Sequence, residues 1–177
     1  MKTLWLLRHA KASVGGDGLA DRDRPLSGRG RAAAAAIGRH LGESGAHPEL
    51  VLCSSALRTR ETCELAAKAI GGAWPVEYES ELYLASALDL RERIARVSDG
   101  VGTLLVVGHN PGIAELALEL ARRGDPEALA ALRHKVPTGA LAELRVHAPG
   151  WRRFARACEL ASFVTPKQLV PKVPSDG

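Results

Sequence analysis

The sequence predicts an α/β domain, a three-layer sandwich with a mainly parallel central sheet and helices on both faces. Its 177 residues are 46% hydrophobic and 25% charged, which is the size and balance of a single globular domain. Short apolar runs alternate with helical patterns along most of the chain. No internal repeat or long linker divides them. We therefore expect a domain over residues 1–164, followed by a Pro-rich tail over residues 165–177.

The strands are predicted from short apolar runs rich in branched side chains. In the first part of the chain they are Thr3–Leu7, Leu50–Cys53, Val76–Tyr78 and Thr103–Val107. After Pro137 the pattern changes, and Ala140–Val146 and Phe154–Leu160 are predicted to form a hairpin around Pro149–Gly150.

The helices are predicted from their capping residues and apolar periodicity. The residues that predict helix starts include Ser27, Ser86 with Asp89 three residues later, and Asn110 with Pro111. The predicted helices run from Ser27 to about Gly42–Gly45, from Leu57 to Ile70, from Ser86 to about Val97, from Asn110 to Arg123 and from Asp125 to His134. From Thr165 onwards, Pro166, Pro171 and Pro174 predict an irregular tail.

Charge and cysteine content exclude some classes of protein. The net charge of +4 is a small difference between interspersed basic and acidic residues, which argues against a nucleic-acid binder. Arginine supplies 18 of the 24 basic residues, but base composition alone could explain that excess. The three cysteines are widely spaced and form no C-x-x-C pair, so neither a disulfide framework nor a zinc site is expected.

The N-terminal apolar run ends at Arg8, which is too early for a secretion signal. No stretch approaches the ~20 apolar residues that a membrane span requires. The expectation is a reduced, cytoplasmic protein without membrane association.

Polar clusters directly follow three predicted strands. They are Arg8-His9-Ala10-Lys11, Ser54-Ser55-Ala56-Leu57-Arg58 and Gly108-His109-Asn110-Pro111. In an open α/β sheet, ligands bind beyond the carboxyl ends of the strands, and the helix N-termini found there favour anions. Two histidines and two arginines are thus predicted to form a cationic pocket sized for phosphate. The remaining histidines lack such a position.

Two other phosphatase motifs fail on spacing or context. Cys53 and Arg58 are separated by four residues, whereas the cysteine-phosphatase loop C-x5-R needs five. Asp21 and Asp23 form a D-x-D pair, but no apolar strand precedes them and Pro25 follows.

The motifs together resemble the histidine phosphatase superfamily, which has the phosphoglycerate-mutase-like fold. The segments that carry the resemblance are Leu6–Lys11 with R-H-A-K, Asp21–Leu26 with D-x-x-R-P-L, Ser54–Thr62 with S-x-x-x-R-x-x-x-T, and Gly108–Pro111 with G-H-N-P. They occur in the family's order over about residues 3–146. The short form with R-H-A-K resembles the SixA-type phosphohistidine phosphatases, so residues 1–164 are expected to form a histidine phosphatase domain.

The resemblance implies phosphoryl transfer through a covalent phospho-His9. It also implies that Arg8, Arg58 and His109 hold the phosphoryl oxygens, with Arg24 as a further pocket residue. No cofactor or metal is implied, because the cationic side chains supply the charge. Glu81 is the first candidate for the proton donor, and Asp21 is the alternative.

The expected partner is a protein carrying phosphohistidine or a small phosphorylated substrate. Two alternatives stay open. One is a small-molecule phosphomonoesterase or mutase of the same fold, although mutases of this superfamily are generally longer. The other is a non-catalytic module that binds a phosphorylated ligand, although such a module would normally lack the nucleophile His9.

Overall fold

A computed structural model describes residues 1–45 and 47–171, and its central feature is a six-stranded sheet. The strands are Lys2–Arg8 (β1), Leu50–Ser54 (β2), Val76–Glu79 (β3), Thr103–Gly108 (β4), Leu141–Val146 (β5) and Cys158–Val164 (β6). Their order is β3-β2-β4-β1-β5-β6. The first four are parallel, whereas β5 and β6 run antiparallel to their neighbours. The predicted mainly parallel sheet is therefore confirmed.

Helices cover both faces of the sheet. They are Gly28–Glu43 (α1), Leu57–Ala69 (α2), Ala87–Ala95 (α3), Gly112–Leu120 (α4), Pro126–His134 (α5) and Pro166–Leu169 (α6). Successive side chains of β1 point to opposite faces, so Leu4 and Leu6 pack in one core cluster and Trp5 and Leu7 in another. The first cluster includes residues of α3, α4 and α5, and the second includes residues of α1 and α2. The three-layer sandwich is thus confirmed.

Local capping explains where two of the helices begin. Ser27 Oγ accepts a hydrogen bond from Gly30 N at 3.1 Å, which caps α1 as predicted. Ser86 and Asp89 form the predicted capping box of α3. A Cβ on Gly30 would lie 2.0 Å from Lys11 O, so only glycine lets the first turn of α1 pack this closely against the segment after β1.

The prediction of a helix from Asn110 to Arg123 is wrong at both ends. The helix begins at Gly112, because the Asn110 side chain donates to Val136 O at 3.0 Å instead of capping it. It ends at Leu120, because the following segment bonds to β6: Leu160 N donates to Arg123 O at 2.9 Å.

The predicted strand Phe154–Leu160 is also partly wrong. Residues Trp151–Arg156 form a 3₁₀ helix, and β6 begins only at Cys158. Trp151 is fully buried, and its indole N–H donates to Val101 O at 2.9 Å. A buried tryptophan whose N–H has a partner anchors this segment against the core, which overrides the apolar pattern of a strand.

The prediction of an irregular tail is wrong for Pro166–Leu169, which form α6. Thr165 N donates to Gln168 Oε1 at 2.8 Å in a second capping box. Proline is tolerated in the first turn of a helix, where its missing N–H would have no helical partner. Pro174, on which the prediction also rested, lies outside the described residues. In the described ranges, no helix is long and apolar enough to cross a membrane.

Candidate phosphate-binding site

A cavity of about 300 Å³, here called the phosphate pocket, lies at the carboxyl ends of β1 and β4 and the start of α2. The predicted site residues that line it are Arg8, His9, Arg24, Arg58 and His109. Its other lining residues are Lys11, Ala12, Leu84, Asn110 and Thr138. The structure therefore brings both predicted histidines and all three predicted arginines into one cavity.

His9 is held in the tautomer that a nucleophile requires. Its Nδ1 lies 2.7 Å from Ala10 O, and a carbonyl oxygen only accepts, so Nδ1 carries the proton. Nε2 therefore bears a lone pair, which accepts a hydrogen bond from Arg58 Nε at 3.4 Å. Burial, reinforced by the charges of Arg58, Arg8 and Arg24, lowers the pKa of His9 to about 4. The ring is thus neutral near pH 7, with Nε2 available for attack.

Arg58, in the first turn of α2, is buried and fixed by several partners. Its Nη1 donates to Asp21 O at 2.7 Å and its Nη2 donates to Asp21 Oδ2 at 3.0 Å. The Nη2 also lies 3.3 Å from His109 Nδ1, which must accept because a guanidinium only donates. These contacts hold the guanidinium between the two histidines, at 4% exposure.

His109 completes the cluster. Its Nδ1 accepts from Arg58, so its Nε2 carries the proton and donates to Ser54 Oγ at 2.6 Å. Burial, together with the charges of His9 and Arg58, lowers the pKa of His109 to about 3. The His9 and His109 ring centroids are 5.3 Å apart, and the Tyr83 ring meets His109 edge-on at 5.4 Å.

The two other arginines differ in how they are held. Arg24 donates to Ser13 O from Nε at 3.1 Å and Nη2 at 2.9 Å, and to Asp21 Oδ1 from Nη1 at 3.0 Å. Arg8 donates from Nη1 to Val136 O at 3.1 Å, but among the described residues its buried Nε has no partner. An unpartnered buried donor is costly, and an anionic oxygen in the pocket would relieve that cost.

The two candidate proton donors lie in different environments. Asp21 accepts from the Tyr83 hydroxyl, Arg24 and Arg58. The Tyr83 hydrogen bond is the main cause that lowers the Asp21 pKa to about 2, so this carboxyl is ionised near pH 7. Glu81 lies exposed in a 3₁₀ turn, and within residues 1–45 and 47–171 no hydrogen bond or ion pair joins it to the pocket. The structure brings Asp21 to the cluster and leaves Glu81 outside it.

Sequence reasoning missed several contacts that support the pocket. Tyr83 belongs to no motif, and nothing in the sequence marks it as the partner of Asp21. Ser54 and Thr62 belong to the S-x-x-x-R-x-x-x-T segment, but the motif does not predict what their side chains contact. Thr62 Oγ1 accepts from Ala10 N at 3.0 Å and donates to Arg58 O at 2.7 Å, which ties the loop after β1 to α2.

Comparisons with known proteins agree with this geometry. The family model of the histidine phosphatase superfamily (branch 1) matches residues 4–83. An uncharacterized protein of Mycobacterium tuberculosis is 41% identical over 164 residues, covering 91% of this chain and 100% of that protein. A structure from Nakamurella multipartitia, provisionally assigned as phosphohistidine phosphatase SixA, is 35% identical with a TM-score of 0.79 and covers 93% of this chain and 96% of that one. The chain belongs to the histidine phosphatase superfamily.

A second SixA structure supports the same placement within the superfamily. It comes from Agrobacterium tumefaciens, carries the same provisional assignment, and is 30% identical with a TM-score of 0.79. It covers 93% of this chain and 98% of that one. The phosphoglycerate-mutase-like fold predicted from the motifs is therefore confirmed. Membership of this superfamily supports phosphatase activity on a phosphorylated substrate.

Proposed function

We propose that this protein is a phosphohistidine phosphatase that acts on a protein substrate through a covalent phospho-His9 intermediate. The observation that carries the proposal is the protonation state of His9. Its Nε2 is unprotonated and bears a lone pair, and the ring lies in a pocket that three arginines line. A neutral imidazole next to fixed cations suits attack on an anionic phosphoryl group, because the cations offset the repulsion that the electron pair would meet.

In the first step, His9 Nε2 attacks phosphorus and the P–N bond to the substrate imidazole breaks. The bonding electron pair goes to the departing ring nitrogen, which takes a proton from water. Arg8, Arg24 and Arg58 line the pocket, where they bind the phosphoryl oxygens. Each charged hydrogen bond of this kind contributes about 1.5–3 kcal/mol.

His109 can join them through a change of tautomer. The Ser54 hydroxyl, which accepts from Nε2 in the described state, can instead donate to it. Nδ1 would then carry the proton and donate to a phosphoryl oxygen, and Arg58 Nη2, which donates to Nδ1 in the described state, would donate to the phosphoryl group instead. The neutral ring that burial favours is retained in both tautomers.

In the second step, water attacks the phosphorus of phospho-His9. The bond from phosphorus to Nε2 breaks, the lone pair returns to the ring, and inorganic phosphate leaves with the protons of the water. Asp21, ionised near pH 7, holds Arg58 and Arg24 in both steps rather than donating a proton. An imidazole departs more readily than an alkoxide, so the first step needs little help from a general acid.

Two SixA structures at 35% and 30% identity are provisionally assigned as phosphohistidine phosphatases, and this assignment supports phosphohistidine as the substrate.

The test compares wild type with His9→Ala on a phosphohistidine peptide and on a panel of phosphate esters, all in EDTA. We expect kcat to fall by about 10³-fold or more in His9→Ala and an acid-labile phosphoenzyme to be trapped only in wild type. His134→Ala, an exposed histidine of α5, is the matched control. Undiminished turnover by His9→Ala would overturn the mechanism. A preference for an ester by orders of magnitude in kcat/KM would overturn the substrate, and phosphate binding without turnover would indicate a binding module.

A further inference from the structure

A second cavity opens beside the phosphate pocket, and we call it the basic groove. Its volume is about 600 Å³, against about 300 Å³ for the phosphate pocket. It lies between α1, α6, the turn at Pro137–Thr138 and the segment after β1. Its floor is apolar and includes Ala32, Ala33 and Pro166. None of the motifs in the sequence accounts for this groove.

Three cations stand around this apolar floor. Lys11 follows β1, Arg29 lies in the first turn of α1, and Lys167 lies in α6. All three are exposed, and none forms an ion pair with another described residue. Among the described residues, no acidic side chain lines the groove. The groove therefore presents uncompensated positive charge to its occupant.

The groove is continuous with the phosphate pocket, because Lys11 and Thr138 line both cavities. The turn between them is bonded to the nucleophile's own backbone. Gly139 N donates to Arg8 O at 3.0 Å and to His9 O at 2.9 Å. When the phosphoryl group of a substrate faces His9, the adjacent part of the substrate can therefore extend into the groove.

We infer that the basic groove binds an acidic polypeptide segment that flanks the phosphohistidine of a protein substrate. This inference rests on the proposed function, because it names what lies beside the phosphorylated side chain. Carboxylates along the segment match the exposed cations, and their aliphatic stems match the floor of alanine and proline. The phosphate pocket would bind a single anion with hydrogen-bonded guanidinium groups, of which Arg58 is buried and Arg8 and Arg24 are half-buried. The groove instead offers separate exposed cations over a longer apolar surface, as an extended chain requires.

The test uses two synthetic phosphohistidine peptides of equal length, one with Asp and Glu on both sides of the phosphohistidine and one with Asn and Gln there. The readout is the ratio of kcat/KM for the acidic peptide to that for the neutral peptide. The variants are Arg29→Glu and Lys167→Glu. The matched control is Arg39→Glu, an exposed arginine of the same helix α1 that does not line the groove.

Wild type is expected to prefer the acidic peptide, through KM, and to lose that preference as NaCl screens the charges. Each charge reversal should lower the ratio by about three- to tenfold, since exposed charge pairs contribute modestly, whereas Arg39→Glu should leave it unchanged. An equal loss of kcat/KM on both peptides in the variants would overturn the inference. So would a ratio near one in wild type at low salt.

A binding measurement separates this inference from the proposed function. The fluorescence anisotropy of the labelled, unphosphorylated acidic peptide is measured with wild type and with both variants. Binding that weakens in Arg29→Glu and Lys167→Glu, without turnover of either phosphopeptide, would overturn the proposed function and support the groove. Turnover of both phosphopeptides with equal efficiency, without binding of the acidic peptide, would overturn the groove and leave the proposed function standing.

Discussion

The phosphate pocket and the basic groove are neighbours of the same charge sign, but they hold their cations in opposite ways. In the pocket, Arg58 is 4% exposed and its guanidinium is fixed by Asp21 and His109. In the groove, Arg29 and Lys167 are exposed and no described residue pairs with them. Buried, fixed cations act strongly because the surroundings have a low dielectric constant, whereas water and salt weaken exposed ones. Chemistry should therefore depend on the pocket, and the choice of substrate on the groove.

The largest expected effect is that of Arg58→Lys. Lysine keeps the charge but lacks the planar set of donors that reaches Asp21, His9 and His109 at once. We expect kcat on p-nitrophenyl phosphate to fall by ~10²–10³-fold, as for the loss of a preorganised donor. Arg60→Lys, an exposed arginine of the same helix, is the control. A loss of less than tenfold would mean that charge alone suffices, and the contrast between pocket and groove would fail.

The second effect is on the pH profile. Because the pKa of His9 is lowered to about 4, the ring stays neutral from pH 7 down to that value, and protonation below it removes the lone pair. The kcat/KM on p-nitrophenyl phosphate is corrected for ionisation of the substrate. Above the pKa of His9, protonation of this residue should not lower it. Below it, the value should drop about tenfold per pH unit. Circular dichroism at each pH would confirm that the protein stays folded. An inflection near pH 6.5, the usual pKa of histidine, would contradict the conclusion that burial lowers the pKa of His9.

Asp21→Asn should have an intermediate effect. The amide keeps the size of the side chain but removes the charge that the Arg58 and Arg24 guanidinium groups contact. We expect kcat to fall about tenfold, which corresponds to the loss of one charged hydrogen bond. The acid limb of the pH profile should stay in place, because Asp21 is already ionised above about pH 2. An unchanged kcat in Asp21→Asn would contradict this role of the Asp21 charge.

The smallest expected effect is that of Glu81→Gln. Glu81 is exposed and does not line the phosphate pocket, so we expect kcat/KM to change by less than about twofold on both a phosphohistidine peptide and p-nitrophenyl phosphate. Glu77→Gln, a nearby exposed carboxylate, is the control. A loss of tenfold or more on an alkyl phosphate, whose alkoxide departs poorly without a proton, would make Glu81 the general acid for poor leaving groups.

The sequence predicted the sheet and the residues at its carboxyl edge because both depend on local pattern. An unbroken apolar run such as Leu104–Val107 predicts a buried strand without any knowledge of its partners. The polar residues that follow the run must lie where the strand ends. The strand containing Leu6 and Leu7 was recognised in the same way.

The failures arose where a distant partner decides the local structure. Asn110 is a residue type that commonly caps helices, but its side chain donates a hydrogen bond to Val136 O instead. The Trp151 indole N–H donates to Val101 O, and a 3₁₀ helix forms where the apolar pattern predicted the start of a strand. Asp21 and Tyr83 are 62 residues apart, and no spacing rule connects them. The basic groove was missed for the same reason, because α1 and α6 meet only in the folded chain.

Gly139 links helix α6 to the backbone of His9. Its φ is +75°, and a Cβ there would lie 2.5 Å from Pro166 Cγ, so its backbone fills the space between α6 and the carbonyls of Arg8 and His9. A chain shortened to the end of β6 would remove one side of that contact and loosen the peptide that carries His9, the proposed nucleophile. The segment that the prolines predicted to be irregular thus supports the backbone of His9, and protein engineers who trim or tag this terminus should leave Pro166–Leu169 intact.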